Sequence, residues 1–231
     1  SLPSSHILKP SIAGLDFTVQ NEAFCLALAR QLDLPVPASS ILQVGVDVLQ
    51  IERYDRERNA AGELIRLHQE DFCQALGFMA DQKYESEGGP GLAQCFALLE
   101  ESSSQPLPDK IRLPRWVIFN YLIGNADAHA KNISLLYQSN GIALAPFYDL
   151  LSTVVYPGLH AKLAMKIGGE NRFAYVQERH SERLAEAIRV KPRLVLDELT
   201  AMKTKMAATA PALASEFIET YGGEPIIDKI L

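Results

Sequence analysis

Apolar residues cluster at helical spacing over Asp16–Leu32, where Phe24, Leu26, Ala27, Leu28 and Leu32 fall together, and Pro35 and Pro37 end the predicted helix. Ahead of it, Ser5–Pro10 is short and extended, since the residue before a proline avoids the helical region. Beyond it, the β-rich run Ser40–Val44 and the imperfect alternation of Val46–Ile51 predict two strands around Gly45. A polar connector follows, Glu52–Asn59. From about Gln69 the period turns helical and stops at Gly77, and Lys83–Pro90 reads as a polar, glycine-rich loop. Leu92–Glu101 is another helix, Ser102–Pro108 a linker, and Pro108 and Pro114 punctuate the approach to the next element. That element, Leu113–Gly124, is predicted as a buried helix, because Trp116, Val117, Phe119, Tyr121, Leu122 and Ile123 leave it almost no polar face. Ile133–Tyr137 and Ile142–Phe147 form a predicted β-hairpin across the turn signal Asn140-Gly141. The last third is helical, over Tyr175–Ile188, Pro192–Met206 and Pro211–Tyr221. Strands thus gather near the beginning and helices dominate the rest, with one hairpin between them. The expected class is α+β, a small mixed N-terminal layer followed by a larger helical body.

Composition narrows the function classes. The 231 residues are 48% hydrophobic and 22% charged, the balance of a soluble globular chain rather than a disordered one. No apolar run approaches the roughly 20 residues of a bilayer span. The length permits one large domain or a two-lobed one. A net charge of -6 argues against broad nucleic-acid or membrane-surface binding, though not against a local basic pocket. Cys25, Cys73 and Cys95 are scattered, with no Cys-x-x-Cys pair or Cys/His cluster, so neither zinc nor a disulfide framework is expected. A reducing, cytoplasmic setting fits, and no signal peptide is recognisable. The first residue is Ser rather than Met, so the sequence is expected to begin after the gene's own start.

Chemistry concentrates where the buried helix ends, in Gly124-Asn-Ala-Asp-Ala-His-Ala-Lys-Asn132. Asp127 and Asn132 stand five apart, the predicted hairpin follows, and Tyr148-Asp149 comes straight after its second strand. An Asp-x-x-x-x-Asn loop, a hairpin and then an Asp is the order of parts in a protein-kinase active site. Phosphoryl transfer needs a carboxylate to accept the substrate hydroxyl's proton and hard oxygen ligands for the metal that neutralises the phosphates. It also needs a strand Lys on the phosphates, paired with a Glu on a following helix. Lys9 lies in the extended stretch and Glu22 on the next helix. Ile51-Glu-Arg-Tyr54 follows a predicted strand and precedes a region expected to be helical, where an adenine-reading hinge belongs. Each residue alone also fits an ordinary role: a turn or cap for Asp127 and Asn132, a solvated face for Lys9 and Glu22, a charged connector for Glu52–Tyr54. Two features depart from the kinase pattern. No glycine stands among the eight residues before Lys9, and Asp149 is followed by Leu150-Leu151 rather than Phe-Gly.

The segments His6–Pro10, Asn21-Glu22, Ile51–Arg56, Gln69–Leu76, Gly124–Asn132 and Tyr148-Asp149, taken in order, resemble the HipA family of bacterial serine/threonine kinases, toxins of type II toxin–antitoxin modules. The resemblance covers nearly the whole chain. It implies a two-lobed kinase-like fold, with residues 1–60 a partial N-terminal lobe ending in the hinge and 61–231 a helical C-terminal lobe with the catalytic loop and metal-binding Asp. It implies Asp127 as catalytic base, and Asn132 and Asp149 as magnesium ligands. Lys9 would contact the ATP phosphates with Glu22 as its partner, and Glu52, Arg53 and Tyr54 would form the adenine hinge. His129, Lys131 and Tyr148 would line the nucleotide site. Leu163–Glu170 belongs to the resemblance too, without an assignable catalytic role. The family further implies ATP and Mg²⁺ as cofactors and a helix-turn-helix antitoxin as partner, with DNA met mainly through it. The implied substrate is a translation protein of the aminoacyl-tRNA synthetase type, whose phosphorylation arrests growth and promotes persistence. The competing expectations are a small-molecule kinase on the same scaffold and a non-catalytic nucleotide-binding partner of the antitoxin.

Overall fold

The computed structural model of the chain describes residues 3–231. It opens with strand β1 (His6–Pro10) and helix α1 (Thr18–Gln31), then β2 (Ser39–Gln43) and β3 (Asp47–Glu52). Gly45, at φ +86°, turns the chain between β2 and β3 where a side chain would be strained. β3 is the middle strand of an antiparallel sheet in the order β1-β3-β2, with Lys9 opposite Leu49 and Ile41 opposite Leu49 on the other side. α1 packs behind that sheet and is buried almost all round, from Thr18 to Ala29, including the polar Gln20, Asn21 and Glu22. A surface helix would not tolerate that burial, and each of the last three side chains has a partner.

The polar connector is not featureless. β4 (Arg56–Arg58) and β5 (Leu64–Arg66) pair as a hairpin, and β6 (His68–Asp71) follows at once. The helix expected from Gln69 is therefore reduced to α2 (Phe72–Ala75), one turn capped by Asp71, which accepts from Gln74 N–H at 2.9 Å. The cause is a pairing with a distant part of the chain. The backbone of residues 68–71 bonds to β7, His68 opposite Tyr137 and Asp71 opposite Ser134, and a local period cannot foresee that.

Helix α3 (Leu92–Ser102) matches expectation, but the helix expected over Leu113–Gly124 already starts within the expected linker, as α4 (Pro106–Leu122), with Pro114 inside it. Proline in a helix interior removes a hydrogen bond. Here the first half of α4 is anchored instead by Asp109, fully buried, which accepts from Ser103 Oγ at 2.7 Å, Arg112 Nη1 at 3.1 Å and Leu144 N–H at 2.9 Å. The predicted hairpin is present as β7 (Ser134–Gln138) and β8 (Gly141–Leu144), and with β6 it makes the sheet β6-β7-β8. A further hairpin, β9 (Lys162–Ile167) and β10 (Glu170–Arg172), occupies a stretch for which no element was predicted.

Helix α5 (Glu178–Ala187) follows. The two segments expected at the end then form one 30-residue helix, α6 (Pro192–Tyr221), before the short α7 (Glu224–Ile230). Pro211 does not break α6, because Ala210, Ala214 and Phe217 around it are buried, and Phe217 meets Phe24 of α1 edge-on at 5.5 Å. Burial of such a face outweighs one missing backbone bond. Trp116 and Phe119 of α4, Phe147 and the apolar side of α1 make up the centre of the core. Among the described residues no helix is long and apolar enough to cross a membrane.

One polar contact ties α1 to the chain beyond β8. Asn21 is fully buried, its Nδ2 donates to Ser152 C=O at 2.8 Å and to Tyr156 Oη at 3.0 Å, and its Oδ1 accepts from Ser152 N–H at 2.8 Å. Asn21→Ala strands a buried peptide group. It is expected to lower the unfolding free energy by about 2 kcal/mol, measured by urea denaturation; an unchanged midpoint would refute the clamp.

Candidate active site

The site begins where α4 stops. Gly124, at φ +70°, ends the helix in a Schellman turn: its N–H donates to Tyr121 C=O at 3.2 Å and Asn125 N–H to Asn120 C=O at 2.8 Å. A Cβ on Gly124 would lie 2.3 Å from Val154 Cγ2, and the Gly124 carbonyl accepts from Thr153 and Val154 N–H at 3.0 and 3.1 Å. The loop that starts here is thus held against the segment that follows Asp149. Asn125 completes the join, its Nδ2 donating to Asn120 Oδ1 at 2.7 Å and Asp149 C=O at 3.3 Å, while its Oδ1 accepts from Asp127 N–H at 3.1 Å.

The sequence-predicted residues divide into those the fold connects and those it does not. Lys9, Glu22, Asn132 and Asp149 form one cluster. Lys9 Nζ is 2.7 Å from Glu22 Oε1 and also donates to Asp149 Oδ1, and Asn132 Nδ2 donates to Asp149 Oδ2 at 3.1 Å. Burial works against the Lys9 ammonium, but the two carboxylates outweigh it and leave its pKa above the ordinary lysine value. Asp149 adopts φ +53°, a left-handed conformation that aspartate tolerates better than most residues. Tyr148 beside it gives its hydroxyl to Lys131 C=O at 2.9 Å and shares a 2.6 Å hydrogen bond with Ser134 Oγ.

Asp127 joins this cluster through Asn125. Its carboxylate is about half exposed and accepts from Tyr84 Oη at 2.7 Å, with Lys83 Nζ at 4.0 Å and His129 Nε2 at 3.8 Å. His129 is buried, and its Nδ1 has no partner among the described residues. Burial pushes its pKa below the ordinary histidine value against the opposing pull of Asp127, so the ring is neutral near pH 7.

The expected hinge is only partly engaged. Glu52 is exposed, and its N–H donates to Ala38 C=O at 2.8 Å. Arg53 N–H donates to Ser5 C=O at 2.9 Å, and its guanidinium grips Asp55 at 2.9 and 2.7 Å. Tyr54 is the hinge residue that reaches the rest of the site, stacked on Tyr148 with ring centroids 5.9 Å apart and its hydroxyl on Gln69 at 2.6 Å. The segment leads into the β4–β5 hairpin, not into a helix. Lys131 makes no ion pair among the described residues, and its charge opposes the raising of the Cys73 thiol by burial.

Sequence reasoning missed Lys83, Tyr84, Gln69, Ser134 and the positioning role of Asn125. Only their position in the fold marks them, since Lys83 and Tyr84 stand in a loop without a recognisable motif. The carboxylate of Asp149 and the amide of Asn132 are hard donors suited to a divalent cation. As placed, the Asn132 amide gives its NH₂ to Asp149 and its oxygen accepts from His129 N–H at 3.1 Å, so a metal shared by both residues would require the amide to turn over. With that rotation the donor set fits Mg²⁺.

Comparison with known proteins agrees with this geometry. A model of the HipA-like C-terminal domain matches residues 1–211. The chain is 51% identical over 166 residues to Y4mE of Sinorhizobium fredii, whose name classes it provisionally as a kinase, a match covering 71% of this chain and 40% of that protein. It is 36% identical over 184 residues to the serine/threonine-protein kinase toxin HipA of Shewanella oneidensis, covering 74% and 42%. The matched stretch is thus less than half the length of these relatives. Among solved structures, HipA of Shewanella oneidensis in its complex with HipB and operator DNA superposes with a TM-score of 0.81 at 27% identity, over 99% of this chain and 53% of that one. The Helicobacter pylori proinflammatory kinase CtkA shares the fold, with a TM-score of 0.54 at 14% identity over 97% of this chain.

The His129 environment is directly measurable. NMR titration of the ring is expected to give a midpoint below 6.5, and lower still in Asp127→Asn, which removes the opposing charge. The folded state then binds this proton less well than the unfolded chain does, so its contribution to stability is complete above pH 6.5 and fades as the pH falls below it. A midpoint above the free value refutes the assignment.

Proposed function

Because this chain belongs to the HipA-like C-terminal domain family, we propose that it is the catalytic core of an ATP- and Mg²⁺-dependent protein serine/threonine kinase of HipA type. The observation that carries the reading is the meeting of Lys9, Glu22, Asn132 and Asp149 in one bonded cluster, from positions up to 140 residues apart, with Asp127 joined to it through Asn125. Chance polar residues have no reason to converge there. Residues 1–60 serve as a partial small lobe with the hinge and 61–231 as the larger lobe; residue 60 lies in the turn between β4 and β5, so this hairpin forms the join.

In this reading Lys9 contacts the ATP phosphates and Glu22 keeps it oriented. Asn132 and Asp149 hold Mg²⁺, which supplies positive charge to the β- and γ-phosphates. Asp127 accepts the proton of the substrate hydroxyl. Tyr54 and Tyr148 border the nucleotide with their stacked rings, and Glu52 and Arg53 shape the hinge behind them. His129, neutral and buried, shapes the catalytic loop, while Lys131 binds Tyr148 through its carbonyl.

The solved HipA neighbour is bound to HipB and operator DNA. This supports a HipB-like antitoxin as partner, with DNA met chiefly through it given the net charge of -6. From the resemblance to the HipA family, the substrate is a protein of the translation machinery, of the aminoacyl-tRNA synthetase type. Its phosphorylation in the cytoplasm arrests growth and favours persistence.

Two substitutions test the chemistry in the protein at its natural length. Asp127→Asn is expected to lower phosphotransfer by about 10²-fold or more with the circular dichroism spectrum unchanged; transfer at the wild-type rate would overturn the reading. Asp149→Ala is expected to weaken Mg-ATP binding in calorimetry, and an unchanged affinity would remove its metal role. Phosphoproteomics on cells expressing the wild type against Asp127→Asn identifies the target.

A further inference from the structure

Asp127 has two neighbours that lie outside the kinase pattern, and the role assigned to them rests on reading Asp127 as the base. Tyr84 Oη donates to its Oδ1 at 2.7 Å, and the Tyr84 ring meets the His129 ring edge-on at 5.6 Å. Lys83 Nζ lies 4.0 Å from the same oxygen and 4.6 Å from the centre of the Tyr84 ring. Asp127 Oδ2 faces His129 Nε2 at 3.8 Å, beyond hydrogen-bonding distance, and no donor among the described residues bonds to it.

The loop that carries Lys83 and Tyr84 is firmly set. It closes on itself through Tyr84 C=O, which accepts from Glu87 and Gly89 N–H at 3.0 and 2.9 Å. A Cβ at Gly89 would stand 2.6 Å from Gln82 C=O, so the turn admits only glycine without rearrangement. Glu85 then fixes the loop to β9, accepting from Lys166 N–H at 2.6 Å with Lys166 Nζ at 3.5 Å. The same strand donates from Ala164 N–H to Ala126 C=O at 2.8 Å, directly before Asp127. β9 therefore holds the loop and the catalytic loop in one register.

Phosphoryl transfer needs positive charge on the acceptor side of the reacting phosphorus. Lys9, the cation of the neighbouring cluster, is held by Glu22 and Asp149. Lys83 is the cation that stands beside Asp127, and with its side chain a third exposed it has room to reach a bound phosphate.

We propose that Lys83 is the acceptor-side cation that contacts the transferring phosphoryl group, and that Tyr84 is a positioning residue that fixes Asp127 with Oδ2 toward the substrate hydroxyl. In the step itself the hydroxyl oxygen bonds to the γ-phosphorus as the bond from that phosphorus to the β–γ bridging oxygen breaks. The hydroxyl proton passes to Asp127 Oδ2 and from there to solvent, and ADP leaves. Lys83 and Tyr84 keep their protons throughout.

The test uses the protein at its natural length, with Asp127→Asn alongside. Lys83→Met is expected to lower kcat ~100-fold with the KM for Mg-ATP nearly unchanged, and Lys83→Arg to recover part of the loss. Tyr84→Phe keeps the ring and removes one hydroxyl; it is expected to lower kcat about 10-fold. The KM for Mg-ATP should stay nearly unchanged, because the hydroxyl acts on Asp127 and not on the nucleotide. Lys83→Met at the wild-type kcat, or with only a raised KM, overturns the cation. Tyr84→Phe with unchanged kcat, or with only a raised KM for Mg-ATP, overturns the positioning role. If Asp127→Asn itself transfers phosphate at the wild-type rate, the functional reading has failed as well, and if it is inactive while both other variants work normally, only this inference has.

Discussion

Lys9 lies between Glu22 and Asp149, and the two carboxylates together offset the cost of the partial burial of its ammonium. That pairing governs how three remote parts of the chain meet. Lys9 is on β1, Glu22 on α1 and Asp149 beyond β8, so no two of the groups can be misplaced without stranding a charge. Asn21, next to Glu22, adds a second fixture by clamping both sides of the Ser152 peptide. One helix therefore sets the positions of Lys9 and of Asp149, the candidate metal ligand. This explains why α1 is buried almost all round and keeps polar residues inside.

The catalytic loop depends on the same arrangement from the other side. Gly124 lets the loop leave α4 beneath Val154, and Asn125 ties Asp127 to the backbone of Asp149. Asp127 is then supported from β9, through Ala164 and through the loop anchored by Glu85. Asp127 and Asp149, the proposed base and metal ligand, thus rest on different elements, with Asn125 bridging them. Such a division suits chemistry in which the nucleotide and the acceptor arrive from different directions.

Much of the fold and the site is legible in the sequence. The α1 helix, the β2–β3 turn at Gly45 and the β7–β8 hairpin follow from local period and turn chemistry. The departures share one cause. Gln69–Asp71 joins a sheet, and α4 and α6 run through Pro114 and Pro211, because contacts with distant residues outweigh local preference. The order Asp127, Asn132, hairpin, Asp149 marks the chemistry because residue type and spacing are constrained there. Lys83 and Tyr84 escape notice because nothing local distinguishes them.

The sequence by itself determined the family and the mixed α/β class, and it named the candidate residues for phosphate, metal and proton, since these depend on side-chain chemistry and short spacings. The tertiary structure alone decided which groups touch. It put Lys9 on Asp149 and Tyr84 on Asp127 and left Glu52 exposed. Those outcomes are long-range pairings, fixed by burial and by the need to satisfy every buried charge and peptide group at once.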